Sequence, residues 1–506
     1  MKWYKFWTKY GKDGSGRKGS TKSINEEVLD MDFFCQLSYM AAIATSGISR
    51  SGLFHHAANL PYLSARYFRK AEFVAKAFNH DYSEACRIVG ETTKEPEVKS
   101  VLLRLSGALS SGEDITTFME RESQVFAESY SNSYERRLEV LRKWTDAYIA
   151  LILTSAVVTV MAVVTIIIGN VTTGFILSLS ALTIIVTVAG AWLIYHNAPK
   201  ETKVHSLPYR SREQTLARSL AKLCLPLGVL VILALLTMNA GFGWAMIAAG
   251  VFLFPVGMIS RIDDKKIDKR DTEIAGFLRS LGGVSQAIRA TVGEGIGRLD
   301  FRSMGSLKTD VDMLYTRLLA GINPHRCWER FVGETGSEQV NRSVRIFWDG
   351  VTLGGEPERV GNHASDFAMK IAHLRAQRGL IASGLQWLAI AMHAVLAVVV
   401  VFIYNTLVAF GALVADMMPE GGIPQGVPGL SSWGLYTSGS PELNMLHVMV
   451  MVILFVLTFA NAFAIYSTGG GHIFKLAFYL AITMALSGAA LVFVPPLVSI
   501  MLTGTL

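Results

Sequence analysis

Four cysteines in 506 residues leave little room for sulfur chemistry. Cys35, Cys86, Cys224 and Cys327 are scattered, with no CxxC pair and no histidine at ligand spacing, so neither a disulfide framework nor a zinc site is expected. No GxxxxGK[ST] occurs, which excludes a P-loop, and Gly293-Glu294-Gly295-Ile296-Gly297 lacks both the preceding strand and the spacing of a dinucleotide fingerprint. His55 and His56 are neighbours, and adjacent side chains on a helix point apart. No nucleophile–base pair and no paired carboxylates stand out. The reading is therefore of a chain without catalytic residues, cofactor or metal, and with nothing that points to nucleic acid. The last shortage is charge where the chain is most apolar. Asp, Glu, Lys and Arg are missing from every long hydrophobic run, and only Asp416 lies at a boundary. A transporter usually carries ionisable groups in its spans, so this absence weighs against that class.

What is abundant is apolar length. Hydrophobic residues make up 51% of the chain, and the mean hydropathy is +0.37. That is too apolar for a purely soluble protein. Stretches of the length needed to cross ~30 Å of hydrocarbon run from about Ala147 to Gly169, Gly174 to Tyr195, Leu223 to Met238, Gly241 to Ile259, Gln386 to Val414, Asn444 to Tyr466 and Leu476 to Leu502. The third is short and opens near Pro226. His393, Asn405, Asn461 and Gln386 are the notable polar groups in these spans, and they read as hydrogen bonders between helices, with Gln386 at an interface.

Between the spans lie two polar segments with helical periodicity. In residues 31–146, Phe33, Phe34, Leu37, Met40, Ala41 and Ile43 form one stripe; Val98, Val101, Leu102, Leu105 and Leu109 form another. In residues 260–383 the stripes are Ile274, Phe277, Leu278, Leu281, Val284 and Ile288, then Leu307, Val311, Leu314, Leu318 and Leu319. The two segments share a register. Gly90 and Gly333 stand 243 residues apart, as do Glu91 and Glu334, Glu95 and Glu338, Gly107 and Gly350, Gly112 and Gly355, and Glu113 and Glu356. This ungapped run of identities reads as a duplicated module, whose shared Gly and Glu positions are expected at helix ends and caps. The expected fold is an all-α polytopic membrane protein with two helical modules and about seven transmembrane helices. Its divisions are a basic tail at 1–30, the first module at 31–146, and four spans at 147–259 around a basic connector at 196–222. The second module follows at 260–383, then three spans at 384–506 with a loop at 415–443.

Charge sets the expected orientation. With the N-terminus cytoplasmic, both modules, the connector and the short loop at Lys475 lie on one side, and the turns that lack Lys and Arg lie on the other, together with the C-terminus. The Lys-rich start has no apolar stretch of the kind that makes a signal peptide. Asn170-Val171-Thr172 is a sequon on the outer side and a candidate for glycosylation. Arg210, Arg212, Arg218, Lys265, Lys266, Lys269 and Arg270 crowd the membrane-proximal cytoplasmic face. They obey the positive-inside rule, contact lipid headgroups, or dock an acidic partner.

Several runs carry a family resemblance: Leu105-Ser106-Gly107-Ala108-Leu109-Ser110-Ser111-Gly112-Glu113-Asp114 in the first module, Phe331-Val332-Gly333-Glu334-Thr335-Gly336-Ser337-Glu338 in the second, then Arg345-Ile346-Phe347-Trp348-Asp349-Gly350 and Gly354-Gly355-Glu356-Pro357. With them the chain resembles the type II secretion system F family, the membrane platforms of type IV pili, type II secretion, Tad pili and the archaellum. The second set is most similar to the archaellar branch. The resemblance implies an archaeal, non-enzymatic platform in the plasma membrane. Its implied partners are a hexameric secretion ATPase docked on the cytoplasmic modules, filament subunits (archaellins or pilins), membrane lipids and a second copy in a homodimer. An archaeal adhesion-pilus or Tad-type platform stays open, and a membrane transporter is the rival from another class.

Overall fold

The structure is a computed structural model and describes residues 21–168, 173–238, 240–417 and 441–503. Among these the chain is helical and contains no strand. The helices, in order, are α1 (Thr21–Ala44), α2 (Arg50–Ala58), α3 (Ala65–Ala77), α4 (Tyr82–Thr92), α5 (Pro96–Ser111), α6 (Ile115–Ile168), α7 (Thr173–Asn197), α8 (Arg212–Thr237), α9 (Phe242–Ile288), α10 (Val292–Gly297), α11 (Lys308–Leu319), α12 (Pro324–Thr335), α13 (Glu338–Thr352), α14 (Pro357–Met417), α15 (Pro441–Gly469) and α16 (Lys475–Thr503), with a 3₁₀ segment at Phe301–Leu307. The protein is an all-α polytopic membrane protein. Six helices among the described residues are long and apolar enough to cross a membrane, within α7, α8, α9, α14, α15 and α16. The first expected span falls on the end of α6, where many side chains lie outside the described residues. The sequon at Asn170, the N-terminal tail to residue 20 and most of the 415–443 loop also lie outside them.

Two expectations about boundaries change. The third apolar run is the later part of α8, which begins at Arg212 and carries Pro226 inside it. Residues 212–222 are therefore helix and not connector. The charge run Arg261 to Asp271 opens the module inside a continuous helix rather than at a break, because it lies in the middle of the 47-residue α9. Nothing between Ile259 and Ile274 breaks a helix: there is no Gly or Pro, and Lys and Arg propagate helices well.

The chain forms two compact units. The first comprises residues up to Arg137, Pro199–Arg212 and Asp263–Gln377. The second comprises Leu138–Ala198, Glu213–Ile262 and Arg378 onward. Helices α6, α9 and α14 contribute to both.

Within the first unit the offset of 243 residues holds far beyond the shared motif. It carries α3 onto α11, α4 onto α12, α5 onto α13 and the start of α6 onto the start of α14, with every boundary matching to within two residues. The local causes recur as well. Pro96 opens α5 and Pro324 opens α12, which are not counterparts, each in a first turn where a missing N–H costs nothing. Asp81 and Asn323 cap α4 and α12 by accepting from Ser83 N and His325 N. Gly112 ends α5 in the left-handed conformation at φ 75°.

The second unit packs by small residues and hydrogen bonds, as spans must when lipid supplies no hydrophobic drive between them. Gly243, Gly250 and Gly257 lie one heptad apart on α9 and let it approach α16 closely; a Cβ on Gly250 would stand 2.8 Å from Ala481 O. Tyr148 OH donates to Asn461 Oδ1 (2.6 Å), and Asn461 Nδ2 donates to His393 Nδ1 (2.9 Å). His393 Nε2 lies 3.1 Å from Thr483 O and 2.9 Å from Ser487 Oγ. An Nδ1 that accepts and an Nε2 that donates define a neutral imidazole. This network joins α6, α14, α15 and α16 without any formal charge. Among the described residues Asn405, by contrast, bonds its own helix, at Val401 O (2.8 Å).

Candidate functional site

The first unit is organised on α13. Ser337 caps it, accepting from Gln339 N and Val340 N, and its hydroxyl donates to Asp271. From Gln339 to Phe347 every residue is buried. A helix buried on all sides is normally apolar throughout. This one carries Gln339, Asn341, Arg342, Ser343 and Arg345, and it is tolerated because partners meet these groups. Arg342 pairs with Asp32 Oδ1 of α1 (2.8 Å) and with Glu338 (3.0 Å), and its guanidinium lies 4.8 Å from the centre of the Tyr62 ring. Tyr39 OH, also on α1, donates to Asp349 Oδ2 (3.2 Å). The first copy of the module is thus fastened to the second through α1 on α13. Burial pushes the Asp349 carboxyl up to about 6, against the pull of Arg345 and the Tyr39 hydroxyl. Asp32 is raised for the same reason, with Arg342 opposing.

A strap formed by residues 199–211 lies along α12 and α13. Glu338 N donates to Lys203 O (3.0 Å), and Val204 pairs with Ser337 in an isolated antiparallel bridge. His205 is buried; its Nε2 donates to Gly333 O (3.1 Å) and its Nδ1 accepts from Leu207 N (3.1 Å). Burial holds its pKa below the usual histidine value. Lys203 Nζ reaches Asp264 (2.8 Å) and Asp268 (2.6 Å) on α9. Arg375 of α14 ties the strap to the rest: its Nη1 meets Asp271 Oδ2 (2.7 Å) and its Nε meets Glu201 Oε2 (3.4 Å). Burial acts against the charge on Arg375, and Glu201 and Asp271 more than offset it, so the guanidinium stays protonated. Asp271 itself is raised by burial to about 6. Breaking such a pair from one side strands a buried charge, a loss of ~3–5 kcal/mol. Within the first unit, ion pairs thus tie the strap to α9 and α14, and backbone bonds tie it to the start of α13.

Two known proteins are similar to this chain in sequence. Flagella accessory protein J of Methanocaldococcus jannaschii is 22% identical over 332 residues, which is 62% of this chain and 58% of that protein. Flagella accessory protein J of Methanococcus voltae is 20% identical over 329 residues, 61% of this chain and 58% of that protein. The chain is thus similar in sequence to two flagella accessory J proteins. The matches span under three fifths of the length of these relatives. No family model and no solved structure matches the chain.

The expected basic face sorts into two kinds of residue. Lys265, Lys266 and Lys269 are exposed on α9, on the side away from Asp264 and Asp271, which are buried. Arg212 is exposed where α8 begins, and Arg210 is half-buried at the end of the strap. Arg270 is different in kind: its Nε pairs with Asp310 (2.8 Å) and its Nη1 donates to Thr335 O (3.0 Å). Arg218, half-buried, belongs to the second unit.

The shared glycines do not all end helices. Gly90 and Gly333 lie inside the last turns of α4 and α12, where the left-handed cap of the second copy is Gly336 at φ 77°. A Cβ on Gly333 would stand 2.4 Å from Tyr209 Cβ of the strap, so the glycine admits the strap. Gly350 and Gly355 are equally close-packed, against Val360 (2.7 Å) and Thr45 Oγ1 (2.7 Å), while Gly107 and Gly112 have nothing within 4 Å. The shared glutamates pair within their own copies: Glu91 with Arg87 (2.7 Å), Glu113 with Arg121 (2.6 Å), Glu334 with Arg317 (2.7 Å) and Glu356 with Arg359 (3.8 Å). Sequence reading missed Asp32, Arg342, Glu201 and Asp271 as a set. The one available signal was Arg342 and Arg345 standing among Val340, Val344, Ile346 and Phe347 on one short helix. Among the described residues no group of three or more His, Cys, Asp or Glu is arranged to hold a metal ion.

Proposed function

We propose that this protein is the plasma-membrane platform of an archaeal type IV pilus-like machine, the archaellum, without enzymatic activity of its own. In this reading a hexameric secretion ATPase docks on the first unit, and its motion passes along α6, α9 and α14 to the spans, where filament subunits are lifted into the fibre or turned. The observation that carries the reading is the uninterrupted course of these three helices. Each contributes to both units, and α9 alone runs 47 residues from an apolar span into the module. The positive-inside rule supports a cytoplasmic position for the modules. The accessory flagellar role in the relatives' names supports the choice of machine.

The docking face in this proposal is Arg210, Arg212, Lys265, Lys266 and Lys269, with Arg218 beside it. Arg270, committed to Asp310, positions α9 and makes no contact with the partner. The test is capture of the purified secretion ATPase by the intact chain in nanodiscs, against a variant with Arg210, Arg212, Lys265, Lys266 and Lys269 each changed to Gln. Binding by the intact chain that weakens with salt and disappears in the variant is the expected result. Retention by the variant moves the contact elsewhere on the modules. No capture by the intact chain overturns the platform reading and returns the transporter.

A further inference from the structure

Between α7 and α15, in the second unit, lies a cavity of about 370 Å³ lined by Val188, Ala191 and Trp192 on one side and Phe455, Phe459 and Phe463 on the other. Its volume falls in the range of small-molecule sites. We propose that this groove holds one hydrocarbon chain of a membrane lipid, bound as a fixed ligand rather than as exchanging solvent.

Shape makes the choice of occupant. From Phe455 to Phe463 a helix rises about 12 Å, most of the ~15 Å depth of one leaflet's hydrocarbon. Spread over that length, 370 Å³ gives a mean cross-section of about 30 Å². A helix with its side chains is ~10–12 Å across, or roughly 80–110 Å². A transmembrane segment of another protein would therefore only lie across the open mouth of the groove, whereas a single acyl or isoprenoid chain lies within it. The lining supplies carbon surface and no carboxylate, amide or hydroxyl, so nothing in it asks for a polar ligand.

The rim fixes which way the chain runs. Trp192 is more than half exposed, and its ring stacks on His196 with centroids 5.4 Å apart and planes at 15°. Both stand in the last turns of α7, which ends at Asn197. An indole beside a polar ring at a span's end is the arrangement that sits at headgroup level. Tyr195 meets Phe463 with ring centroids 5.3 Å apart and joins the two helices at this same end. The lipid headgroup therefore lies over Trp192 and His196, and its tail descends towards Val188 and Phe455. A chain held there packs α7 against α15, which also carries Asn461 of the buried hydrogen-bond network.

The experiment uses the full chain reconstituted into phosphatidylcholine vesicles doped with a phosphatidylcholine that bears a diazirine on one acyl chain. After illumination, labelled peptides are located by mass spectrometry. The exposed face of α8, with Leu223 and Leu230, serves as the reference for passing lipid. Labelling at residues 188–192 and 455–463 is expected to exceed that reference about tenfold. Ala460→Phe, which fills the groove, is expected to abolish the excess while leaving labelling of α8 unchanged; Val456→Phe is the second filling variant should the first fail to assemble. Equal labelling of groove and reference overturns the proposal, as does an excess that survives both variants. A groove that stays unlabelled and instead crosslinks to an apolar segment of another protein also overturns it.

Discussion

Helices α5 and α13 occupy the same place in the two copies of the module, yet one is half-exposed and the other is buried on every side. In α5 the face that matches Arg342, Ile346 and Gly350 holds Lys99, Leu103 and Gly107, and Lys99 and Gly107 are exposed. In α13 Arg342 of the same face meets Asp32 of α1, and Gly350 packs against Val360 of α14. A duplicated helix needs only one apolar face to hold its own module together. In the second copy the remaining faces also have partners, and its sequence carries buried cations and close-packed glycines there. The comparison separates what the module needs in order to fold from what the joined pair of modules needs.

The sharpest way to break the comparison is to remove the same position from each copy. Arg342→Ala leaves Asp32 buried and unpaired and should cost ~3–5 kcal/mol, read as lost hydrogen-exchange protection in α1 and α13 and an earlier denaturant midpoint. Lys99→Ala, its counterpart, should stay within about 0.5 kcal/mol of wild type. Equal losses from the two would dissolve the distinction between the copies.

The glycines give a contrast in sign. Gly350→Ala drives a methyl into Val360 and should destabilise by ~1–3 kcal/mol. Gly107→Ala, in the middle of α5 with open space around it, should stabilise by ~0.5–1 kcal/mol. Thermal unfolding of the two variants side by side decides the matter. Gly333→Ala should likewise lift the strap, exposing the amides of residues 203–209 to exchange, whereas Gly90→Ala meets Leu103 at 3.2 Å and Leu102 Cβ at 3.3 Å, looser contacts than the 2.4 Å at Gly333, and should leave its surroundings protected.

The smallest effect concerns pH. Because burial holds the His205 pKa below its unfolded value, the folded protein binds fewer protons than the unfolded chain just below the ordinary histidine pKa. Its contribution to stability is therefore present at neutral pH and is lost as the pH falls below about 6.5. His205→Gln keeps an amide that can donate to Gly333 O but cannot titrate. The loss of stability between pH 7 and pH 5 should be shallower in this variant, and an unchanged slope would remove His205 from the account.

Much of this architecture was legible in advance because it rests on local rules. Apolar runs of spanning length, the constant offset of the repeat and the prolines of the first turns all act within a few residues, so the helices could be placed. The continuity of α9 was not legible, since a cluster of charges reads as a boundary although Lys, Arg and Asp can lie on a helix whose faces meet different surroundings. The candidate site was half legible. Spacing located Arg210, Arg212, Lys265, Lys266, Lys269 and Arg270 near one another in the chain, but nothing in the spacing separated Arg270, paired with Asp310, from the lysines that face outward.

The sequence by itself determined that this is a duplicated, all-helical membrane protein, because helix periodicity, hydrocarbon thickness and repeat register are properties of the chain's order. Only the tertiary structure decided which copy became the centre. Asp32 and Arg342 are 310 residues apart and attract each other only once α1 lies on α13, and the strap reaches Gly333 only where no side chain stands in its way. Whether a charge is buried and paired, or exposed and available to a partner, depends on what folds over it, and that is decided by contacts between distant segments.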